Sequence, residues 1–214
     1  GDSIPRQWGK TLHGTAPAKM LSFDFLYIGR NPAGAMHNYE YVLVLKDEYS
    51  GLIELVPCSE ATHEVTVEAL LYWCGRYGYP ELLQSDGGSH FKNKVMAELA
   101  QRMPAQHHFT LAYCPWSNGS VERVNKEIVP LLRILVMEHN TRHGSTLGKL
   151  TNHDWPYLLP VVMGALNSSP SRRLANHSPR EVFMGLEQYN PIHVIYAPHL
   201  KHISDIPLTS AAVE

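Results

Sequence analysis

Apolar and polar residues alternate along Lys19–Ile28, with Leu21, Phe23, Phe25 and Tyr27 on one face, which predicts a half-buried strand. Gly29-Arg30-Asn31-Pro32 ends it. Two further strand patterns, Tyr39–Leu45 (YEYVLVL) and Leu52–Pro57 (LIELVP), flank the turn Lys46-Asp47-Glu48-Tyr49-Ser50-Gly51 and predict an antiparallel hairpin. The first three strands therefore form a meander. Helical spacing takes over with Val65, Ala69, Tyr72, Trp73 and Tyr77, closed by Gly78 and Pro80. Glu81–Ser85 reads as a fourth strand running into the turn Asp86-Gly87-Gly88. Phe91, Val95, Met96, Leu99 and Met103 mark a second helix stopped by Pro104, and His107–Ala112 a fifth strand.

After a loop at 113–119, Val121, Val124, Ile128, Leu131, Leu132, Leu135 and Val136 predict a long helix over about 120–139. Pro130 is expected to kink or break it. Residues 140–153 read as polar loop, Trp155–Ser168 as a helix interrupted by Pro160, and Pro179–Met184 as a short helix. Three strands followed by helix, strand, helix, strand and more helices predict an α/β domain with a mixed sheet. Strand four follows a helix, so a right-handed crossover can set it parallel to strand one.

Composition narrows the class. The chain has 214 residues, 44% of them hydrophobic and only 18% charged, which suits a globular domain rather than a charge-driven disordered one. Eighteen Lys and Arg against 20 Asp and Glu give a net charge of −2, so any nucleic-acid contact must come from local basic groups. Three cysteines, Cys58, Cys74 and Cys114, are an odd number without CxxC spacing; this argues against a disulfide framework and fits a reducing compartment. No apolar run reaches the length of a bilayer span, and no membrane partner is expected. His107-His108 is the densest histidine cluster, but strand alternation sends the two to opposite faces.

Three acids stand where secondary structure makes them conspicuous. Asp24 interrupts an apolar strand, Asp86 ends the fourth strand, and Glu122 lies in the first turn of the long helix. Each has an ordinary explanation: a solvated strand residue, a turn former, and a carboxylate favoured by the helix dipole. Together they mean more. Carboxylates converging in one cleft repel one another unless a cation or protons compensate, and hard divalent metals take oxygen ligands. Two such ions can serve a phosphodiester displacement. No GxSxG, P-loop or HExxH motif offers other chemistry.

The segments FDF (23–25), SDGGSHF (85–91) and YCPWSNGSVERVNKEI (113–128), with 35 residues between Asp86 and Glu122, resemble the catalytic core of retroviral and gypsy-type retrotransposon integrases and their D,D-35-E pattern. Tyr41–Val56 and the stretches Ala165–Pro170 and His177–Glu181 share the resemblance. It spans residues 20–190, leaving 1–19 as an extended leader and 191–214 as a tail. It implies an RNase H-like fold with a five-stranded mixed sheet, three strands antiparallel and two parallel, flanked by helices. It also implies a polynucleotidyl transferase that processes DNA 3′ ends and joins them to a target strand.

By resemblance, Asp24, Asp86 and Glu122 are the catalytic acids and hold two Mg²⁺ or Mn²⁺ ions. Ser89, Tyr113, Asn118, Asn125 and Lys126 are then DNA contacts. Helical spacing alone sets Asn125 and Lys126 on the side of Glu122, and Ser89 also suits a helix N-cap. The family implies element and target DNA as partners, a homodimer or higher oligomer, and action in the nucleus after a cytoplasmic phase. Cys114 and Trp116 depart from the family's usual loop residues, and neither its zinc-binding HHCC module nor a basic carboxy-terminal module is visible. Three rivals remain: a ribonuclease H-type nuclease, which shares the fold but normally adds a fourth carboxylate and lacks the NGSVER segment, a catalytically silent integrase-derived DNA- or protein-binding module, and a structural α/β module whose acids diverge in space.

Overall fold

The computed structural model describes residues 14–30, 38–85, 89–102, 110–112, 119–143, 148–151 and 153–186. Strand β1 (Met20–Tyr27) pairs antiparallel with β2 (Tyr41–Asp47), and β2 with β3 (Ile53–Cys58). Asp47 fixes the turn between β2 and β3. One of its carboxylate oxygens accepts from the Ser50 amide at 2.8 Å and the Ser50 hydroxyl at 2.7 Å, the other from the Ala18 amide at 2.9 Å. The KDEYSG sequence is thus a turn whose buried acid is consumed by local donors.

Helix α1 (His63–Tyr77) then crosses the sheet, capped by Thr62 at its start and by Gly78 at φ +89° at its end. It delivers β4 (Leu82–Gln84) parallel to β1, with Met20 opposite Leu82 and Ser22 opposite Gln84. Helix α2 (Ser89–Arg102) leads to β5 (Thr110–Ala112), parallel to β4. The sheet order is β3-β2-β1-β4-β5, an antiparallel meander extended by two parallel strands of three residues each. The mixed α/β arrangement is the one the strand and helix pattern predicts.

Helices cover both faces. On one, Leu21, Phe23, Leu43, Leu45 and Leu83 pack against Val67, Leu70 and Trp73 of α1 and Val95 and Leu99 of α2. On the other, Val42, Val44, Ile53 and Leu55 meet Val121, Ile128 and Leu132 of α3 (Gly119–His143) and Trp155, Leu159 and Val162 of α4 (Trp155–Ser168). Burial on both faces explains why β2 reads as an unbroken VLVL run. Helix α5 (Pro179–Met184) opens with a Ser178–Glu181 capping box and sets Phe183 against Trp73 and Tyr77.

Several expectations are corrected. Helix α3 runs through Pro130 and continues over 140–143, and α4 runs through Pro160. Both prolines are exposed, so a carbonyl deprived of its helical donor can turn to water. Tyr27, expected on the apolar face, is 56% exposed, since β1 leaves the core at its last residue. Cys58 and Cys74 are buried thiols whose pKa values burial pushes up to about 11, which makes them unreactive. Cys114 and His107-His108 lie outside the described residues. Among the described residues no helix is long and apolar enough to cross a membrane.

Strand β3 lies at the edge of the sheet, and α4 protects it through one side chain. Buried Asn167 accepts from the Ile53 amide and donates to the Ile53 carbonyl, both at 2.8 Å, standing in for a missing strand. Asn167→Leu strands two backbone groups at once. It is expected to destabilise the domain by about 2–4 kcal/mol, read as a lower urea midpoint; a change below about 0.5 kcal/mol would show that water replaces the amide.

Candidate active site

Asp24 sits mid-strand in β1, opposite Val44 on the face that α3 covers, and is half-buried between apolar neighbours. A carboxylate in that setting needs donors. Its Oδ1 accepts from the Phe25 amide at 2.8 Å, and its Oδ2 from Asn125 Nδ2 of α3 at 2.9 Å. The second bond spans 101 positions of sequence and ties the beginning of α3 to the middle of the sheet.

Glu122 lies one helical turn before Asn125, exposed in the first turn of α3. Residues at that spacing have Cβ atoms about 5–6 Å apart, so the bond that docks Asn125 on Asp24 brings Glu122 to the same side. Lys126 follows four residues after Glu122, exposed to solvent. The partially positive amide end of α3 favours anions at this point.

The other expected site residues divide as follows. Strand β4 runs parallel to β1 and ends at Gln84, opposite Ser22, so it leaves the sheet toward the end that carries Asp24. Asp86 itself lies outside the described residues, as do Tyr113 and Asn118. Ser89 is the first residue of α2. Among the described residues no three His, Cys, Asp or Glu side chains cluster as a metal site. Of the three expected acids, Asp24 and Glu122 are among the described residues.

The donor set still suits a hard divalent cation. Among the described residues it offers carboxylate oxygen and no sulfur or imidazole. Asn125 adds an observation that sequence could not supply: its Oδ1 is buried without a hydrogen-bond partner among the described residues. An orphaned oxygen beside a carboxylate is what an oxygen-seeking cation or its bound water would satisfy. Sequence spacing puts Asn125 on the side of Glu122, but its grip on Asp24 is a tertiary contact that no local pattern signals.

A mixed sheet thus carries one carboxylate in its first strand and a second on the helix docked over it. Residues 14–115 match the integrase core domain family. The chain is 29% identical over 202 residues to the Gag-Pol polyprotein of feline leukemia virus, covering 93% of this chain and 10% of that polyprotein. It is 30% identical over 177 residues to the Gag-Pol polyprotein of avian reticuloendotheliosis virus, covering 82% and 14%. The chain thus spans a small part of these relatives' length.

Among solved structures, the simian T-cell lymphotropic virus intasome in complex with the PP2A regulatory subunit B56 gamma matches with a TM-score of 0.61 at 17% identity, over 86% of this chain and 62% of that one. The catalytic core domain of HTLV-2 integrase in complex with magnesium, in its trimeric form, matches at 0.58 and 18% identity, over 80% and 99%. The fold is that of an integrase catalytic core.

Asn125→Ala removes a hydrogen bond to a charged, half-buried carboxylate. It is expected to lower stability by about 1.5 kcal/mol in urea unfolding without changing the m-value. Unchanged stability would mean that α3 is held on β1 by apolar packing alone.

Proposed function

We propose that this chain is the catalytic core of a retroelement integrase of the retroviral and gypsy type, which processes DNA 3′ ends and transfers them to target DNA. The observation that carries this reading is the Asn125–Asp24 bond, which supports a site shared by Asp24 and Glu122, the residue one helical turn before Asn125. The parallel register of β1 and β4 supports the arrival of Asp86 at the same end of the sheet.

Asp24, Asp86 and Glu122 would hold Mg²⁺ or Mn²⁺, two ions in the full site, and the metal supplies charge stabilisation and a more acidic attacking hydroxyl. The chain's own groups do the rest. Asn125 fixes the rotamer of Asp24, and with it the direction in which that carboxylate can ligate. Lys126, exposed one turn beyond Glu122, is placed for a DNA phosphate. Tyr113 and Asn118 are assigned to the element's end and Ser89 to the target strand.

In the first step the oxygen of water forms a bond to phosphorus and the bond from that phosphorus to the retained strand's 3′-oxygen breaks, so the departing nucleotides carry off a 5′-phosphate and the retained end takes a proton as its 3′-hydroxyl. In the second, that hydroxyl forms a new P–O bond to a target phosphate and expels the target's own 3′-oxygen. Both steps need the same acids and no covalent enzyme intermediate. The core occupies residues 20–190, works as a homodimer or larger assembly, and acts in the nucleus after a cytoplasmic phase.

A disintegration assay on branched DNA with Mg²⁺ or Mn²⁺ tests this reading. Wild type is expected to rejoin the strands. Asp86→Asn and Glu122→Gln are expected to lose more than about 100-fold, and Asn125→Ala, acting through Asp24, about 10–100-fold. Activity in EDTA, or equal activity in Asp86→Asn, overturns it. Cleavage of RNA–DNA hybrids in place of joining favours a ribonuclease.

A further inference from the structure

Beside the acid pair, on the flank of α3 toward the sheet edge, lies an open cleft of about 480 Å³ whose lining includes neither Asp24 nor Glu122. It is lined by four cationic side chains from three parts of the chain: Lys46 at the end of β2, Arg123 in the first turn of α3, and Arg172 and Arg173 after α4. Glu127 is the one acid in its lining. Among the described residues, none of the four cations forms an ion pair with a carboxylate.

Lys46 is the unusual member. It lies on the core-facing side of β2, opposite Ser22, and is only 9% exposed, with no hydrogen-bond partner among the described residues. Burial lowers its pKa most, Glu48 and more weakly Asp47 oppose it, and the charges of Arg173 and Arg123 add to the lowering. Lys46, largely buried and lining the cleft beside Arg123 and Arg173, adds to a crowding of like charge that is costly in a free domain. The cost is relieved when an anion enters the cleft.

The arginines are held rather than loose. Arg172–Leu174 form a 3-10 turn that ends with Ala175 at φ +52°. The loop is closed by the Ser171–His177 bridge and by the Asn176 amide donating to the Ser171 carbonyl at 2.9 Å. Arg173 Nη1 donates to the Tyr49 carbonyl at 3.4 Å, and its other guanidinium nitrogen lies over Gly51, where a Cβ would come within 2.8 Å of it. Gly51, at φ +80°, serves both the turn and the seating of that arginine.

We propose that this cleft is a phosphate-binding pocket, in which Lys46 is the buried point charge and Arg123, Arg172 and Arg173 supply planar donor forks. Guanidinium forks match phosphate oxygens in pairs, and the lysine complements them from below. The phosphate could be carried on a nucleic-acid backbone or be free in solution. Its assignment to DNA rests on the strand-joining function proposed above; the pocket itself does not. Arg123 neighbours Glu122 on α3, so a backbone phosphate seated here lies one helical face away from the acids and fixes a DNA strand beside them.

The test uses the whole chain in EDTA, so it is independent of metal and of catalysis. Thermal unfolding is followed in sodium pyrophosphate against sodium chloride at matched ionic strength, and binding of a short duplex DNA is followed across a salt series. The variants are Lys46→Met and the double substitution Arg172→Ala with Arg173→Ala. Pyrophosphate is expected to raise the wild-type Tm, and each variant to weaken its binding at least tenfold. Lys46→Met is also expected to unfold at or above the wild-type temperature without phosphate, since it removes a charge crowded by Arg123 and Arg173; a purely structural lysine would give a lower one.

If the salt dependence of DNA binding also becomes shallower in the arginine variant, by about one in the slope of log K against log salt, the phosphate is a DNA phosphate. If only the pyrophosphate effect is lost, the pocket stands and its ligand is a free phosphate. A wild-type Tm no higher in pyrophosphate than in chloride, or a rise that both variants retain, overturns the proposal.

Discussion

A carboxylate in the middle of a sheet, facing a packed helix, must be given donors or lose its charge. Asp24 is given them by its own strand and by Asn125 across 101 positions of sequence. That contact does more than satisfy an acid. It sets the rotation of α3 about its axis, so that Asn125 and Glu122 face the strand ends while Val121, Ile128 and Leu132 face the apolar side of the sheet. Arg123 and Glu127 are then left to line the neighbouring cleft. This hydrogen bond and the apolar packing of α3 together orient both the acidic and the basic surface of the same helix.

The sheet prepares this arrangement. The buried Asp47 turn holds β2 in register with β1, and the crossover through α1 places β4 on the other side of β1 in parallel. Both features send strand ends toward one rim, where α/β folds commonly hold their ligands. Asn167 closes the far edge, so the sheet is anchored on the side away from β4.

Much of this is legible in the chain because it is local. Alternation marks β1 to β3, and helical spacing marks α1, α2 and α3. Asp24 stands out because it breaks an apolar run. What cannot be read is long-range. The Asn167–Ile53 pairing joins residues 114 positions apart, and nothing in the helical pattern of Trp155–Ser168 marks Asn167 as a partner for β3. Pro130 and Pro160 suggest breaks, because the rule concerns a lost donor and exposure to water relieves it. The sequence pattern puts Lys46 in a turn, whereas its pairing with Ser22 and Ile53 keeps it on β2, facing the core. Its place two residues beyond Val44 in the alternation of β2 is the signal that could have shown this. The resemblance also names Asp86, Tyr113 and Asn118, and these lie outside the described residues.

Convergence of the acids on a shared cation is open to direct observation by diffraction from crystals of the chain grown with Mn²⁺, recorded at the manganese absorption edge. An anomalous peak within the roughly 2.0–2.6 Å reach of oxygen ligands from both Asp24 and either Asp86 or Glu122 is the result the structure leads one to expect. Acids that point apart with no peak between them, while Asn125 still holds Asp24, would contradict it.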